Sequence, residues 1–428
     1  MEMNDMILIS VDDHVIEPPD LFKNHLPAKY MDRAPKMATM RSGSDSWEFE
    51  GRSIGNFGLN AVVGRPPEEY GMEPSSYSQI RKGTYQLKER VEDMNVNGVL
   101  ASICFPTFPT FAGGFFLKPK DKELTEAVIS AYNDWHIDEW CAGAPGRFIP
   151  LAILPLWDIQ TAVTEAKRVA KMGCRTLSFF DNPVAKGLPS VHSDYWDPLW
   201  EVLAENDIVI SIHIGSGASA PYSSEDAPID TWIVNMPMYI ANATTDWLFS
   251  PIFKKFPNLK IALSEGGIGW VPYLLERADF TYKHHKAWTN CSFGDMLPSE
   301  LFKRNFITCF IDDKFGLENT RFLNTDKITW EADYPHSDSL WPYAPEGLWN
   351  TIKHLPTDVI DKITHLNAMR EFGFDPFKHM AREECTVAGL RAKATHVDTR
   401  PIPDQGGHNP SNREGRQVTS GEVMKLFA

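Results

Sequence analysis

Ile9-Ser-Val-Asp-Asp-His14 is an apolar strand that runs out into Asp-x-His, and three later segments repeat its form. Ile208-Val-Ile-Ser-Ile-His213, Leu259-Lys-Ile-Ala-Leu-Ser-Glu265 and Lys327-Ile-Thr-Trp-Glu-Ala-Asp333 are β-prone runs, each ending on a side chain able to bind a metal. Residues two apart on a strand share a face, so Asp12 and His14 aim at one point and Asp13 turns away. With His336 three residues past Asp333, four strands deliver donors at one edge. They predict a metal centre built from Asp12, His14, His213, Glu265, Asp333 and His336.

Working outward, β-rich apolar runs recur at 6–11, 98–104, 147–154, 174–180, 207–213, 259–264, 305–310 and 327–333. Helical patterns lie between them. Residues 158–171 place Ile159, Ala162, Val163, Ala166, Val169 and Ala170 on one face, and 195–204 form another helix with a proline near its start. Alternating strands and helices build a parallel sheet, and eight such units close into a (β/α)8 barrel. The expected fold class is therefore α/β, a distorted TIM barrel. Such barrels place their chemistry at the C-terminal strand ends, where the six donors fall.

The chain has 428 residues and 43% hydrophobic content, enough for one barrel-sized domain with insertions. Its formal net charge of -15 argues against nucleic acid or an anionic membrane as partner, since those need a cationic face, and favours a small-molecule substrate. Six cysteines occur without a CxxC pair, and Cys104, Cys174 and Cys309 lie in strand-like runs, as in a reduced cytoplasmic protein. The acidic N-terminus is no signal peptide, and no apolar stretch is long enough to span a bilayer. The barrel is expected over 1–379. Within it, residues 17–82 form a long Pro-, Gly- and aromatic-rich connection after the first strand, expected to roof the pocket. The polar stretch 380–428, with Pro401-Ile-Pro-Asp-Gln-Gly-Gly-His-Asn-Pro, is expected to be an extended arm on a neighbouring subunit.

Ser10-Val-Asp-Asp-His-Val-Ile-Glu-Pro18, Ala131-Tyr-Asn-Asp-Trp135, Ser264-Glu-Gly-Gly-Ile-Gly-Trp270 and Trp330-Glu-Ala-Asp-Tyr-Pro-His-Ser-Asp338 resemble the amidohydrolase-related branch of the amidohydrolase superfamily, which includes aminocarboxymuconate-semialdehyde decarboxylases. The resemblance runs from about residue 7 to 376. It implies a distorted (β/α)8 barrel whose metal ligands are an H-x-H pair after strand one, a His after strand five, often a His after strand six, and an Asp after strand eight. By motif position these are Asp12 and His14, His213, Glu265 and Asp333. Two positions depart from the pattern: Asp12 stands for the first His and Glu265 for the strand-six His. The bridging carbamylated Lys after strand four has no counterpart in Leu177-Ser-Phe-Phe-Asp-Asn182.

Three carboxylates, up to three imidazoles and no thiolate suit Fe or Mn at least as well as Zn. Six protein donors exceed the three that a catalytic zinc takes, so one or two divalent ions are expected, with Glu265 or Asp333 as the bridge between two. Asp333, His336 and Glu265 are the candidate catalytic groups. On ligand type the favoured chemistry is dioxygen-dependent hydroxylation of a small carboxylate by a dinuclear Fe/Mn site, as in a small branch that the pattern resembles. The alternatives are hydrolysis or non-oxidative decarboxylation by a Lewis-acidic ion, or a metal-retaining subunit partnered, in a homo- or hetero-oligomer, by a related catalytic barrel.

Other features carry less. Glu17 and Asp338 are expected to orient histidines. Phe105-Pro-Thr-Phe-Pro-Thr-Phe111 lines the pocket wall, Gly215-Ser-Gly217 permits close backbone approach to substrate, and His284-His285 lies on a solvated helix end. No G-x-S-x-G elbow, Walker loop or dinucleotide loop is present.

Overall fold

The computed structural model describes residues 1–40, 43–54, 58–71, 74–217, 222–403 and 415–425. Every expected run forms a strand: β1 (Ile9–Val15), β2 (Ala101–Pro106), β3 (Phe148–Ile149 and Leu151–Ala152), β4 (Thr176–Phe180), β5 (Val209–His213), β6 (Ile261–Ser264), β7 (Phe306–Phe310) and β8 (Ile328–Trp330). Neighbouring strands pair in parallel in the order β3-β2-β1-β8-β7-β6-β5-β4-β3. The order begins and ends on β3 because Pro150, which has no N–H to donate, interrupts that strand. Its first half pairs with β2 and its second with β4, so the sheet closes on itself as a barrel.

Helices cover the outside. Ile159–Lys171 starts where expected because the Asp158 carboxylate accepts the Thr161 N–H at 2.9 Å, and it buries Ala162, Val163, Ala166 and Val169. Inside the barrel, alternate residues of successive strands meet in one apolar cluster of Ile9, Val11, Ile103, Leu151, Val209, Ala262 and Ile307. This packed interior is a floor beneath the strand ends. Among the described residues no helix is long and apolar enough to cross a membrane, and all six cysteines are free.

The connection after β1 folds into short helical turns and a three-stranded antiparallel sheet of Lys36–Thr39, Asp45–Phe49 and Arg52–Ser53. Trp47 and Phe49 anchor it from within, Trp47 stacking on Phe108 of the loop after β2 at 4.7 Å. Its far end meets the corner after β8, where the Val62 and Val63 amides donate to the Pro335 carbonyl at 3.0 and 3.1 Å.

The C-terminal stretch departs from the expectation of an arm that leaves the barrel at residue 380. Val387–Ala392 is helical, and Cys385, Val387 and Leu390 are fully buried against this chain's own barrel. The Val387 amide donates to the Met6 carbonyl, and Arg391 pairs with Glu346 at 2.6 Å. A low count of large apolar residues concealed this, because three well-placed ones suffice for docking. The packed body therefore runs through Ala394, and further on Ser420 and Val423 are buried where the chain bridges to Pro228. Of the Pro401–Pro410 stretch, residues 404–410 lie outside those described.

Candidate metal centre

Strict alternation from the inward-facing Ile9 and Val11 would carry Asp13 into the barrel and turn Asp12 out. A β-bulge reverses this. The register with β2 shifts between Ser10 and Asp13, and such an insertion re-aims the residues that follow it. Asp12 and His14 thus enter the barrel mouth, while Asp13 faces away as expected. There its carboxylate accepts from Ser10 Oγ at 2.9 Å and the Tyr334 amide at 3.1 Å, and lies 3.7 Å from the Arg90 guanidinium.

β5 alternates without interruption, so Val209, Ser211 and His213 point inward and His213 emerges at the mouth. Its Nδ1 donates to the Ile214 carbonyl at 2.6 Å, which leaves Nε2 as the free lone pair. Nε2 of His213 lies 3.3 Å from Nε2 of His14, 3.6 Å from Asp12 Oδ2 and 3.2 Å from Glu265 Oε2. Nε2 of His14 lies 3.5 Å from Asp12 Oδ1 and 3.3 Å from Asp333 Oδ1. Burial holds His213 down to about 4, and burial with the adjacent His336 holds His14 well below the usual imidazole range. Both rings are therefore neutral at pH 7.

His336 completes the group, its ring 3.9 Å from that of His14 and its Nδ1 2.9 Å from Asp333 Oδ1. Burial acts to raise Asp333, but the adjacent His336 and His14 hold it below the ordinary carboxylate range. Donor atoms of Asp12, His14 and His213 lie within 4.8 Å of one another, as do those of His14, Asp333 and His336. Glu265 belongs to neither trio and joins the cluster through His213. All six expected residues thus converge.

Glu265 and Asp333 share a backbone peculiarity. Each follows its strand in the left-handed region, at φ 59° and 51°, which non-glycine residues seldom adopt outside sites where the surroundings enforce it. Between them lies Glu331, which the sequence reading passed over. It is buried, its carboxyl pushed up to about 8 chiefly by burial. Its spacing was a signal: Thr329, Glu331 and Asp333 alternate onto one face.

Neither of the two expected orienting residues bonds a histidine among the described residues. The buried Glu17 carboxylate accepts the Thr107 and Phe108 amides at 2.9 and 2.7 Å and so fixes the loop after β2. Asp338 lies exposed at the rim, where among the described residues it bonds no histidine. The loop that Glu17 holds forms the apolar wall as expected, with Phe111 4.0 Å from the His213 ring and 5.1 Å from that of His14. Phe108 instead packs under the insertion. Gly217 sits tight against the β4 corner, where an added Cβ would lie 2.1 Å from Asp181 Oδ1.

Arg90, from the helix Leu87–Val96, locks the β1 end from behind. It is fully buried, donates to the His14 and Gly83 carbonyls, and lies over the Tyr334 ring at 4.3 Å. Removing one partner of a buried ion pair strands the other's charge. Arg90→Met is therefore expected to cost about 3–5 kcal/mol in chemical denaturation, and a loss below about 1 kcal/mol would show that the corner holds without it.

Both carboxylate oxygens of Asp12 and of Asp333, Nδ1 of His14 and Nε2 of His336 are buried with no hydrogen-bond partner. Native interiors rarely tolerate such a concentration of unsatisfied acceptors. A divalent cation ligated by these oxygens and imidazoles relieves it, so the residues present fit that group.

The amidohydrolase family model matches residues 84–374, most of the barrel. The chain belongs to the amidohydrolase family. Its relatives include a 2-amino-3-carboxymuconate-6-semialdehyde decarboxylase of Dictyostelium discoideum, 23% identical over 313 residues that cover 71% of this chain and 81% of the relative. A gamma-resorcylate decarboxylase of Rhizobium sp. (strain MTP-10005) is 24% identical over 279 residues, 60% of this chain and 79% of the relative. Among solved structures, a variant of 5-carboxyvanillate decarboxylase from Novosphingobium aromaticivorans, with bound manganese and 3-methoxy-4-hydroxy-5-nitrobenzoic acid, matches with a TM-score of 0.60 at 17% identity, covering 86% of this chain and 97% of that one. The fold is thus that of the amidohydrolase barrels, and this amidohydrolase carries its donors at the strand ends that such barrels use for chemistry.

Proposed function

We propose that this amidohydrolase is a divalent-cation-dependent, non-oxidative decarboxylase of a small aromatic or conjugated carboxylic acid. The observation that carries the reading is the convergence of unsatisfied, buried carboxylates with imidazoles, His336 Nδ1 lying 2.9 Å from Asp333 Oδ1. The three relatives named above support it, since each is a decarboxylase whose substrate, by name, bears its carboxyl on an unsaturated carbon. The dioxygen-dependent hydroxylation favoured on ligand type alone has no counterpart among them, and the decarboxylase alternative takes its place.

Asp12, His14, His213 and Asp333 would hold the ion, with Glu265 at its edge; manganese is the identity favoured, because the carboxyvanillate relative binds it. Bound there, the ion supplies a Lewis acid for the negative charge that develops on the substrate. The rest falls to the chain. Decarboxylation breaks one C–C bond, leaves its electron pair on the ring or chain carbon and releases neutral CO2, so the only further requirement is a proton at that carbon. His336 is placed to carry it, its Nδ1 2.9 Å from the Asp333 carboxylate that orients the ring. Phe111 and Phe105, packed on the imidazoles, exclude water from one side and offer a flat apolar wall to a planar substrate.

The test is to strip the protein with chelator, reload it with Mn, Fe or Zn, and follow CO2 release from gamma-resorcylate, 5-carboxyvanillate and 2-amino-3-carboxymuconate-6-semialdehyde without oxygen. Turnover of at least one is expected to vanish on stripping and return on reloading. Product formation that instead consumes dioxygen mole for mole would restore the hydroxylase reading.

A further inference from the structure

We infer that Glu331 is a positioning residue for the metal centre, a brace that fixes the Glu265 corner by accepting its backbone N–H. This rests on the metal-site reading but not on the identity of the reaction. The barrel order places β7 between β6 and β8, and Glu331, just past β8, spans that gap. Its Oε2 accepts the Glu265 amide at 3.1 Å and the Cys309 thiol of β7 at 2.6 Å. Glu331 is 1% exposed.

The two corners it joins are the left-handed ones. An L-residue at positive φ returns to the extended region unless its neighbours hold it. Asp333 is held through its own N–H, which donates to the Asp12 carbonyl at 2.9 Å across to β1. Glu265 precedes Gly266-Gly267, whose backbone is itself permissive, and its amide donates to Glu331. Were that bond lost, the Glu265 peptide could relax and carry its carboxylate away from His213 Nε2, now 3.2 Å distant. Among the described residues no hydrogen bond joins Glu331 to any of the six donor side chains, so its geometric influence on the ion runs through Glu265, and its charge, which Asp12 and Glu265 also feel, is what the Gln variant removes. Groups that orient metal ligands in this way typically change affinity by about 10–100-fold when removed.

Three variants decide it, each stripped, reloaded with Mn2+ and titrated against a chelator indicator for its Kd, with thermal melting as the folding control. Glu331→Gln keeps an acceptor oxygen at the same reach and is expected to bind Mn2+ within about threefold of the parent. Glu331→Ala removes the acceptor, and Glu331→Asp keeps the charge but falls one methylene short. Both are expected to bind at least about tenfold more weakly. If alanine does not fold, the Gln and Asp pair decides alone. A loss in Gln overturns the proposal because charge, not reach, would then matter; unchanged affinity in Asp, or in a folded Ala, overturns it because no brace would be needed. None of these outcomes depends on decarboxylation being observed.

Discussion

His213→Ala is expected to leave the protein without stoichiometric metal after desalting, and with turnover reduced at least a thousandfold. The imidazole is held by its Nδ1 bond to Ile214, and its Nε2 is the point at which His14, Asp12 and Glu265 come within 3.2 to 3.6 Å. Groups that merely orient a ligand change affinity by about 10–100-fold, so loss of the central ligand itself should exceed that range. Two carboxylates would also face each other across the gap with no neutral donor between them. Elemental analysis of the purified variant gives the answer directly. His285→Ala, on the exposed end of Val271–Thr289, serves as the control and should retain full occupancy. Equal metal content in the two variants would remove His213 from the coordination set.

The second large effect is expected for Asp333→Asn, which preserves shape and removes charge. In the proposed reading Asp333 has two tasks, as an oxygen donor facing His14 at 3.3 Å and as the carboxylate that orients His336 at 2.9 Å. An amide performs neither well. At saturating Mn2+, kcat should fall about 10²–10⁴-fold, the range typical of a lost acid–base partner, while binding of an unreactive nitro analogue of the substrate persists. Rapid-quench measurement of CO2 separates this from slow product release. Undiminished kcat would mean that the proton reaches carbon by another route.

The barrel and most of its centre were legible because they rest on local rules. Four β-rich runs that end on Asp, His or Glu mark strand ends carrying donors, and eight β-rich runs separated by helices leave few architectures open. What could not be read depended on contacts between distant segments. The bulge at Ser10–Asp13 is a product of pairing with β2; within β1 alone, Ile9 and Val11 argue for the wrong face of Asp12. Glu17 lies near His14 in sequence, yet its carboxylate answers to amides some 90 positions away. Arg90 sits in an ordinary helix whose sequence gives no hint that its guanidinium reaches the His14 carbonyl. The tail misled through composition, since average polarity says nothing of where Cys385, Val387 and Leu390 land.

Cys385 and Leu390 lie at the end of the barrel opposite the metal donors, against Ile7, Leu100 and the interior cluster, and Val387 is tied there by its amide to the Met6 carbonyl. The C-terminal segment therefore acts as a stopper for the lower rim, sealing by apolar contact what the upper rim must leave open to substrate. An engineer could therefore tighten the plug without disturbing the mouth.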